Sequence, residues 1–420
     1  MIDYERLAWA IDNGAAVRRR QILQPTGGKG DKIFPPTYPE ERRGAGPRHV
    51  FERRRIDGAE VWCVLIDSVQ SQANRLEEAL MAAVREGAIS LPYVFVDFSG
   101  RELAGLTEIT SLDAPHRVYD AILRDSLLAG EPFMKSQLGR RLAETKPSDA
   151  SALLEVSPTA LLFGAWHSTG EGGGLGAKFA RCLVSEIIGI NVPTEFFDAG
   201  NTASALLARS GDTLRTVEPK TAGRRTGSRI DPLGILRKVE VFNGPEGWDT
   251  VRERAGRGAK PVRPSEISHG NIAPSVQPLG ITCDYAEHVV VISLAGLRRL
   301  YFGSGERDHA GRAMPAALGL LSVVEQDARG YALRSRCDLV CDRRAPFELV
   351  HADGLVDQVE IDQSAARQLY LDSFTAGRAA GFALSTDPVR LLPQDKLIEI
   401  VRRSQRLALA GEGGELDETS

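Results

Sequence analysis

Between Val61 and Glu86 the hydrophobic period changes within a few residues, and that change constrains the fold more than any other stretch. Val61 to Ile66 is an apolar run that reads as a strand. Asp67-Ser68 then supplies a capping signal. Val69, Ala73, Leu76, Leu80 and Val84 follow at three- and four-residue steps, which predicts a helix to about Glu86 with one buried stripe. A strand leading into a helix with one greasy face calls for a sheet with helices packed against it.

The other periodic stretches are mixed in the same way. Strands are expected at 17–24, Tyr93 to Phe98, Thr159 to Trp166, Ile235 to Phe242, 281–284, 288–293, 331–340 and 347–351. Helices are expected at 116–128, 132–144, 149–156, Gly176 to Ile188, 310–326, 362–380 and 393–410. The order is not a regular βαβ alternation, so α+β is favoured over a doubly wound parallel sheet. Two long polar stretches interrupt it. Gln24 to Arg55 is rich in Pro, Gly and Arg and should be mobile on the surface, and 209–265 is equally rich in Gly, Pro and Arg.

Composition matters mainly for what it excludes. Glycine is 42 of 420 residues, above the usual share of about 7%, which suggests many tight turns or close backbone approaches. With 52 basic and 56 acidic residues the net charge of -4 says nothing of nucleic acid, but its distribution does. Arg215 to Arg263 holds 12 Lys and Arg against 6 Asp and Glu, whereas residues 411–420 carry four acids and no base, as a disordered acidic tail would. Five scattered cysteines without a CxxC pair argue against a disulfide framework and a zinc knuckle, and no cofactor is implied. The N-terminus lacks a signal-peptide pattern and Val289 to Leu297 is too short to span a bilayer, so a cytoplasmic protein with no membrane partner is expected.

Three stretches suit phosphate groups. The first is Asp67-Ser-Val-Gln-Ser-Gln-Ala-Asn-Arg75, where a helix start offers unpaired N–H groups beside Ser68, Gln70, Ser71, Asn74 and Arg75. The same residues also suit a capped helix with a wet polar side. The second is the glycine-rich turn after Trp166, with His167 and Ser168 before it and Lys178 and Arg181 on the helix expected after it. It is neither a P-loop nor a dinucleotide fingerprint. The third is Arg224-Arg225-Thr-Gly-Ser-Arg229, a flexible basic loop. His167 beside Ser168 also admits a hydrolase or ribonuclease reading, although no GxSxG elbow and no orienting acid accompany it.

Four strings form one pattern: Gln24-Pro-Thr-Gly27, Ser68-Val-Gln-Ser-Gln-Ala-Asn-Arg-Leu-Glu77, Gly176-Ala-Lys-Phe-Ala-Arg181 with Val184-Ser-Glu-Ile-Ile-Gly189, and Asp284-Tyr-Ala-Glu-His-Val-Val-Val-Ile-Ser-Leu-Ala-Gly-Leu-Arg-Arg-Leu300. The pattern resembles the backbone (Cas-seven) subunit of the type I-G, formerly I-U, CRISPR Cascade complex, a family of RAMP proteins. The resemblance runs from about residue 17 to 300 and more loosely to 380. It implies a modified RRM-like (ferredoxin-like) palm with long insertions forming a thumb and helical subdomains. On this reading the chain is one RAMP-type domain, with 24–55 as the candidate thumb, 99–157 as a helical insertion and 209–265 as a basic loop insertion.

The same resemblance implies a non-enzymatic protein of antiviral defence. Its partners would be CRISPR RNA, target DNA reached through guide pairing, further copies of itself in a helical filament, and the large and RNA-processing or cap subunits. RNA contact is implied for Gln24, Thr26 and Lys29, for Ser68, Gln70, Ser71, Asn74 and Arg75, and for Lys178 and Arg181. His167 and Ser168 are included as binding residues, and Arg224, Arg225 and Arg229 are added on charge alone.

Overall fold

The computed structural model describes residues 2–39, 49–167, 178–193, 232–269 and 280–409, together with the short strands Arg224–Arg225 and Val276–Gln277. They fall into two compact units: Met1–Pro39 with Val50–Val192 and Cys283–Ser420, and Glu40–His49 with Pro193–Thr282.

The first unit is built on a nine-stranded antiparallel sheet. Its strands are β1 (Gly14–Pro25), β2 (Phe51–Ile56), β3 (Ala59–Asp67), β4 (Leu183–Ile190), β5 (Tyr285–Ser293), β6 (Tyr331–Arg334), β7 (Cys337–Cys341), β8 (Phe347–His351) and β9 (Val356–Val359). The spatial order is β6-β7-β1-β5-β4-β3-β2. One edge of β1 pairs along its length with β5, and the other is shared, with β8 at Gly14–Arg18 and β7 at Leu23–Pro25. Strand β9 continues the sheet beyond β8.

Helices cover one face of this sheet. Those used below are α1 (Tyr4–Asn13), α2 (Val69–Arg85), α3 (Pro158–Phe163), α4 (Gly305–Arg329), α5 (Gln363–Ala379) and α6 (Asp395–Leu409). Helix α4 is the spine. Every residue from Ala310 to Gln326 is buried, because α1, α2, α3 and α5 all pack on it. Gly319 lets it approach the sheet, since a Cβ there would meet Ile292, Leu162 and Leu183 side chains at 3.0–3.3 Å. A smaller five-stranded sheet joins Val94–Asp97, Glu108–Thr110, Ser126–Leu128, Glu131–Pro132 and Val389–Pro393, and α6 follows its last strand.

The α+β class and the 61–86 unit stand as read: β3 runs into α2, Ser68 caps it, and Ala73, Leu76 and Leu80 are buried. Two neighbouring readings do not. Thr159 to Trp166, expected as a strand, is mostly α3, with only Ala165–Trp166 extended. Pro158 sits at the helix start and every residue from Pro158 to Phe163 is buried, and a short run buried all round carries no period to separate helix from strand. Gly176 to Ile188, expected as a helix, contains instead Lys178–Phe179 and β4. Phe179, Leu183 and Ile187 are indeed buried, but a spacing of four also places residues on one face of a strand. β-branched Val184, Ile187, Ile188 and Ile190 and pairing on both edges, to β3 and β5, decide for the strand.

Smaller differences have similar causes. The expected helices 116–128 and 132–144 shrink to Ala121–Arg124, Gln137–Ala143 and 3-10 turns around short strands. Of the two strands expected at 281–284 and 288–293, only the second forms, extended back to Tyr285 as β5, while 281–284 is not a strand; 331–340 folds back as the β6–β7 hairpin. Arg53 to Arg55, placed in a mobile segment, lie in β2 paired with β3. Arg42, Arg43 and Arg48 lie outside the described residues.

In the second unit the described core is a three-stranded sheet, with Val241–Gly244 between Gly247–Asp249 and Lys260–Val262. Its two chain stretches are joined where the Gly280 N–H donates to His49 Nε2 at 3.1 Å. Among the described residues no helix is long and apolar enough to cross a membrane.

Candidate nucleic-acid interface

Asp67, the last residue of β3, has no exposed surface. A buried carboxylate persists only when its lone pairs are filled. Here Ser71 Oγ donates to it at 2.8 Å, Gln72 Nε2 at 2.7 Å, Arg75 Nε at 2.9 Å and Arg334 Nη2 at 2.9 Å. The three residues from the first two turns of α2 are thereby locked to the end of β3, and Arg334 brings in the β6–β7 hairpin. Arg334 also donates to the Ile66 carbonyl at 2.7 Å, and Arg75 to the Leu333 carbonyl at 2.5 Å.

The donors that α2 presents outward are therefore Gln70 and Asn74, which are exposed, and half-buried Ser68, whose Oγ accepts from the Ser71 N–H at 3.3 Å. Ser71 and Arg75 are chiefly engaged by Asp67. Two guanidinium groups against one carboxylate still leave net positive charge at this corner, with the Arg75 and Arg334 side chains 21% and 28% exposed. Arg334 is a contributor that sequence reading missed, because nothing local marks a hairpin arginine as the neighbour of a helix start 267 residues earlier.

The early polar stretch reaches the same hairpin. The Thr26 N–H donates to the Asp338 carbonyl at 2.9 Å, and the Phe34 N–H to the Arg336 carbonyl at 3.0 Å. Thr26 and Lys29 are exposed, and Lys29 forms an ion pair with Asp342 at 3.2 Å. Gln24, half-buried, lies opposite Val340 of β7. The structure thus brings Gln24, Thr26 and Lys29 to the hairpin that carries Arg334.

The residues that flank the glycine-rich segment lie elsewhere. Ala165–Trp166 pairs antiparallel with Lys178–Phe179, so the segment is flanked by two paired strands rather than by a strand and a helix. Lys178 is exposed and Trp166 is 51% exposed. Arg181 is half-buried and donates to the Phe163 carbonyl at 3.1 Å. Lys178, Arg181 and Ser185 therefore do not share a helix face, as the expected helix would have arranged, and Ser185 is buried beneath the sheet. Close by, Glu77 of α2 takes a bidentate pair from Arg117 at 2.7 and 2.8 Å. Burial pushes the Glu77 carboxyl up to about 7 in spite of that partner.

His167 is 7% exposed and stacks on Tyr119, with ring centroids 4.9 Å apart. Burial, with Arg124 adding to it, holds its imidazole below the ordinary histidine range. Ser168, Arg229 and the glycine-rich loop lie outside the described residues. Arg224 and Arg225 form a strand with Val276–Gln277, and their side chains lie outside the description. Among the described residues no group of three His, Cys, Asp or Glu could hold a metal ion.

A buried polar chain runs between sheet and helices and ends at Asp67. Arg19 of β1, fully buried, makes a bidentate pair with Asp327 of α4. Tyr331 donates to Asp327 at 2.5 Å, and His288 lies 3.1 Å from the Tyr331 hydroxyl and 2.7 Å from Ser185 Oγ. Ser185 donates to Gln72 Oε1 at 3.0 Å, and Gln72 donates to Asp67. This chain ties β1, β5, β4 and α4 to the α2 corner, and such networks fix a packing arrangement only when their members are satisfied.

Residues 17–194 match the family model described as CRISPR-associated protein GSU0053. Over these residues, less than half of the chain, the protein is similar to a CRISPR-associated family. The match spans β1, α2, the paired strands Ala165–Trp166 and Lys178–Phe179, and β4, and so contains most of the donors placed above. No curated protein matches the chain.

Proposed function

We propose that this CRISPR-associated chain is the RNA-holding backbone subunit of a type I Cascade complex, of the I-G kind. The observation that carries the reading is the family match itself, because the matched residues build a corner of exposed amide, hydroxyl and cationic groups. Gln70, Asn74, Thr26 and Lys178 suit a sugar-phosphate chain held without regard to base, which needs donors and positive charge rather than a readout helix.

An RRM-like palm is supported by strand order. In chain order β1, α2, β4, β5, α4 and β7 run strand, helix, strand, strand, helix, strand. In space the four strands lie β7-β1-β5-β4, fourth-first-third-second, all antiparallel. This order supports reading the palm as ferredoxin-like, with β2 and β3 added beside β4. The thumb is assigned to the second unit, whose two stretches interrupt the chain between β1 and β2 and between β4 and β5. It thus takes in parts of both long polar stretches.

The role is one of binding rather than chemistry. A ribonuclease centred on His167 would need that imidazole accessible, and it lies against Tyr119. The test is the nucleic acid that co-purifies with the protein. RNA of uniform length, left intact with Mg²⁺ present, is expected. Protein free of RNA, or divalent-dependent cleavage abolished by His167→Ala, would overturn the proposal.

A further inference from the structure

We infer that the tip of the β6–β7 hairpin is a second phosphate-holding element of the same surface, with Arg336 as the residue that touches the strand. The inference rests on the RNA-binding reading and adds a residue outside the family match, which ends at 194.

Four observations converge on Arg336. It is exposed and lies in the two-residue turn between β6 and β7 with a φ of +61°, where glycine would sit more easily. Its guanidinium stands 5.3 Å from the centre of the Phe34 ring. Among the described residues it has no carboxylate partner, whereas neighbouring Arg334 is engaged by Asp67 and Lys29 by Asp342. The hairpin that presents it is anchored at both ends: to Asp67 through Arg334, and to the early polar stretch through the Phe34 N–H on the Arg336 carbonyl.

Together these describe a cation held in place but not neutralised. An aromatic face orients a planar guanidinium while its in-plane N–H groups stay available to an anion. The net positive charge of Arg75 and Arg334 on Asp67 lies beside it, so the local field favours a polyanion. A phosphodiester has the geometry that a guanidinium edge meets.

Arg336→Gly separates this role from a structural one. Glycine relieves the left-handed backbone, so thermal stability should be unchanged or raised. Affinity for a guide-length single-stranded RNA, titrated at several salt concentrations, should fall. The slope of log K against log salt should flatten by roughly 0.7, so the advantage of the native protein shrinks about 2.5-fold between 50 and 200 mM salt. Arg336→Lys should keep most of the slope. Native protein that binds no RNA would remove the parent reading and this one with it. Native protein that binds RNA while Arg336→Gly binds it with the same slope would overturn the tip alone. So would a variant that loses thermal stability along with affinity, or one that binds RNA normally but no longer associates with other copies of the chain.

Discussion

Replacing Asp67 with Asn tests the corner on which the candidate interface is built. The carboxylate accepts four hydrogen bonds, two of them from guanidinium groups, and has no access to water. Asparagine keeps one acceptor oxygen and points an NH₂ group at donors. Removing one partner of a fully buried ion pair costs roughly 3–5 kcal/mol. The Arg75 and Arg334 side chains are 21% and 28% exposed, so water can solvate part of what they lose. A loss of about 2–4 kcal/mol is therefore expected, read as a shift of the denaturation midpoint at constant slope. RNA affinity should fall as well, because the anchor that holds the β6–β7 hairpin beside α2 is loosened. An Asp67→Asn protein within about 0.5 kcal/mol of the native stability would refute the claim that this carboxylate organises the corner.

Two further outcomes follow from the same geometry. Lys178→Ala should weaken binding to unrelated RNA sequences about equally, flattening the salt dependence by roughly 0.7, and leave stability unchanged; Arg181→Ala should also destabilise, since Arg181 supports the Phe163 carbonyl, and the reverse pattern would exchange their roles. Stability should also depend on acid through two buried groups. Burial, helped by Arg19, pushes His288 down to about 3, so its contribution is full above the unfolded value near 6.5 and is lost as pH falls from there towards 3. Glu77, raised to about 7, has the opposite sign, with a contribution present below about 4.5 and lost as pH rises through 7. The two oppose each other between about 4.5 and 6.5, and stability should fall more steeply below that window. Thermal scans of His288→Gln should show a shallower acid limb, and an unchanged limb would mean that His288 does not set it.

The elements legible in the sequence are those whose evidence is local. The 61–86 unit carries its own strand run, cap and stripe, and α5 and α6 match their expected helices within about two residues. Gln70 and Asn74 were identifiable as outward donors because helix geometry alone sets them off the buried stripe. Arg19 marks the limit of such reasoning: it sits in a run of three arginines that reads as polar, yet it is fully buried. It is buried because Asp327 on α4 meets it with a bidentate pair, 308 residues away. The exchange of helix and strand between 158 and 190 has the same origin, since a four-residue apolar spacing and a short run buried all round each fit both forms until sheet partners exist.

What the sequence by itself determined is therefore the α+β class, the α2 start with its polar donors, and the resemblance that the family match supports at the level of a CRISPR-associated protein. Only the tertiary structure decided which of those polar groups stay available. Ser71 and Arg75 turn inward to Asp67, Ser185 goes beneath the sheet, and Arg334 and Arg336 arrive at the corner from a distant hairpin. The reason is physical: periodicity reports which side of an element meets the core, while the fate of a charge depends on which counter-charge long-range pairing brings within hydrogen-bonding distance.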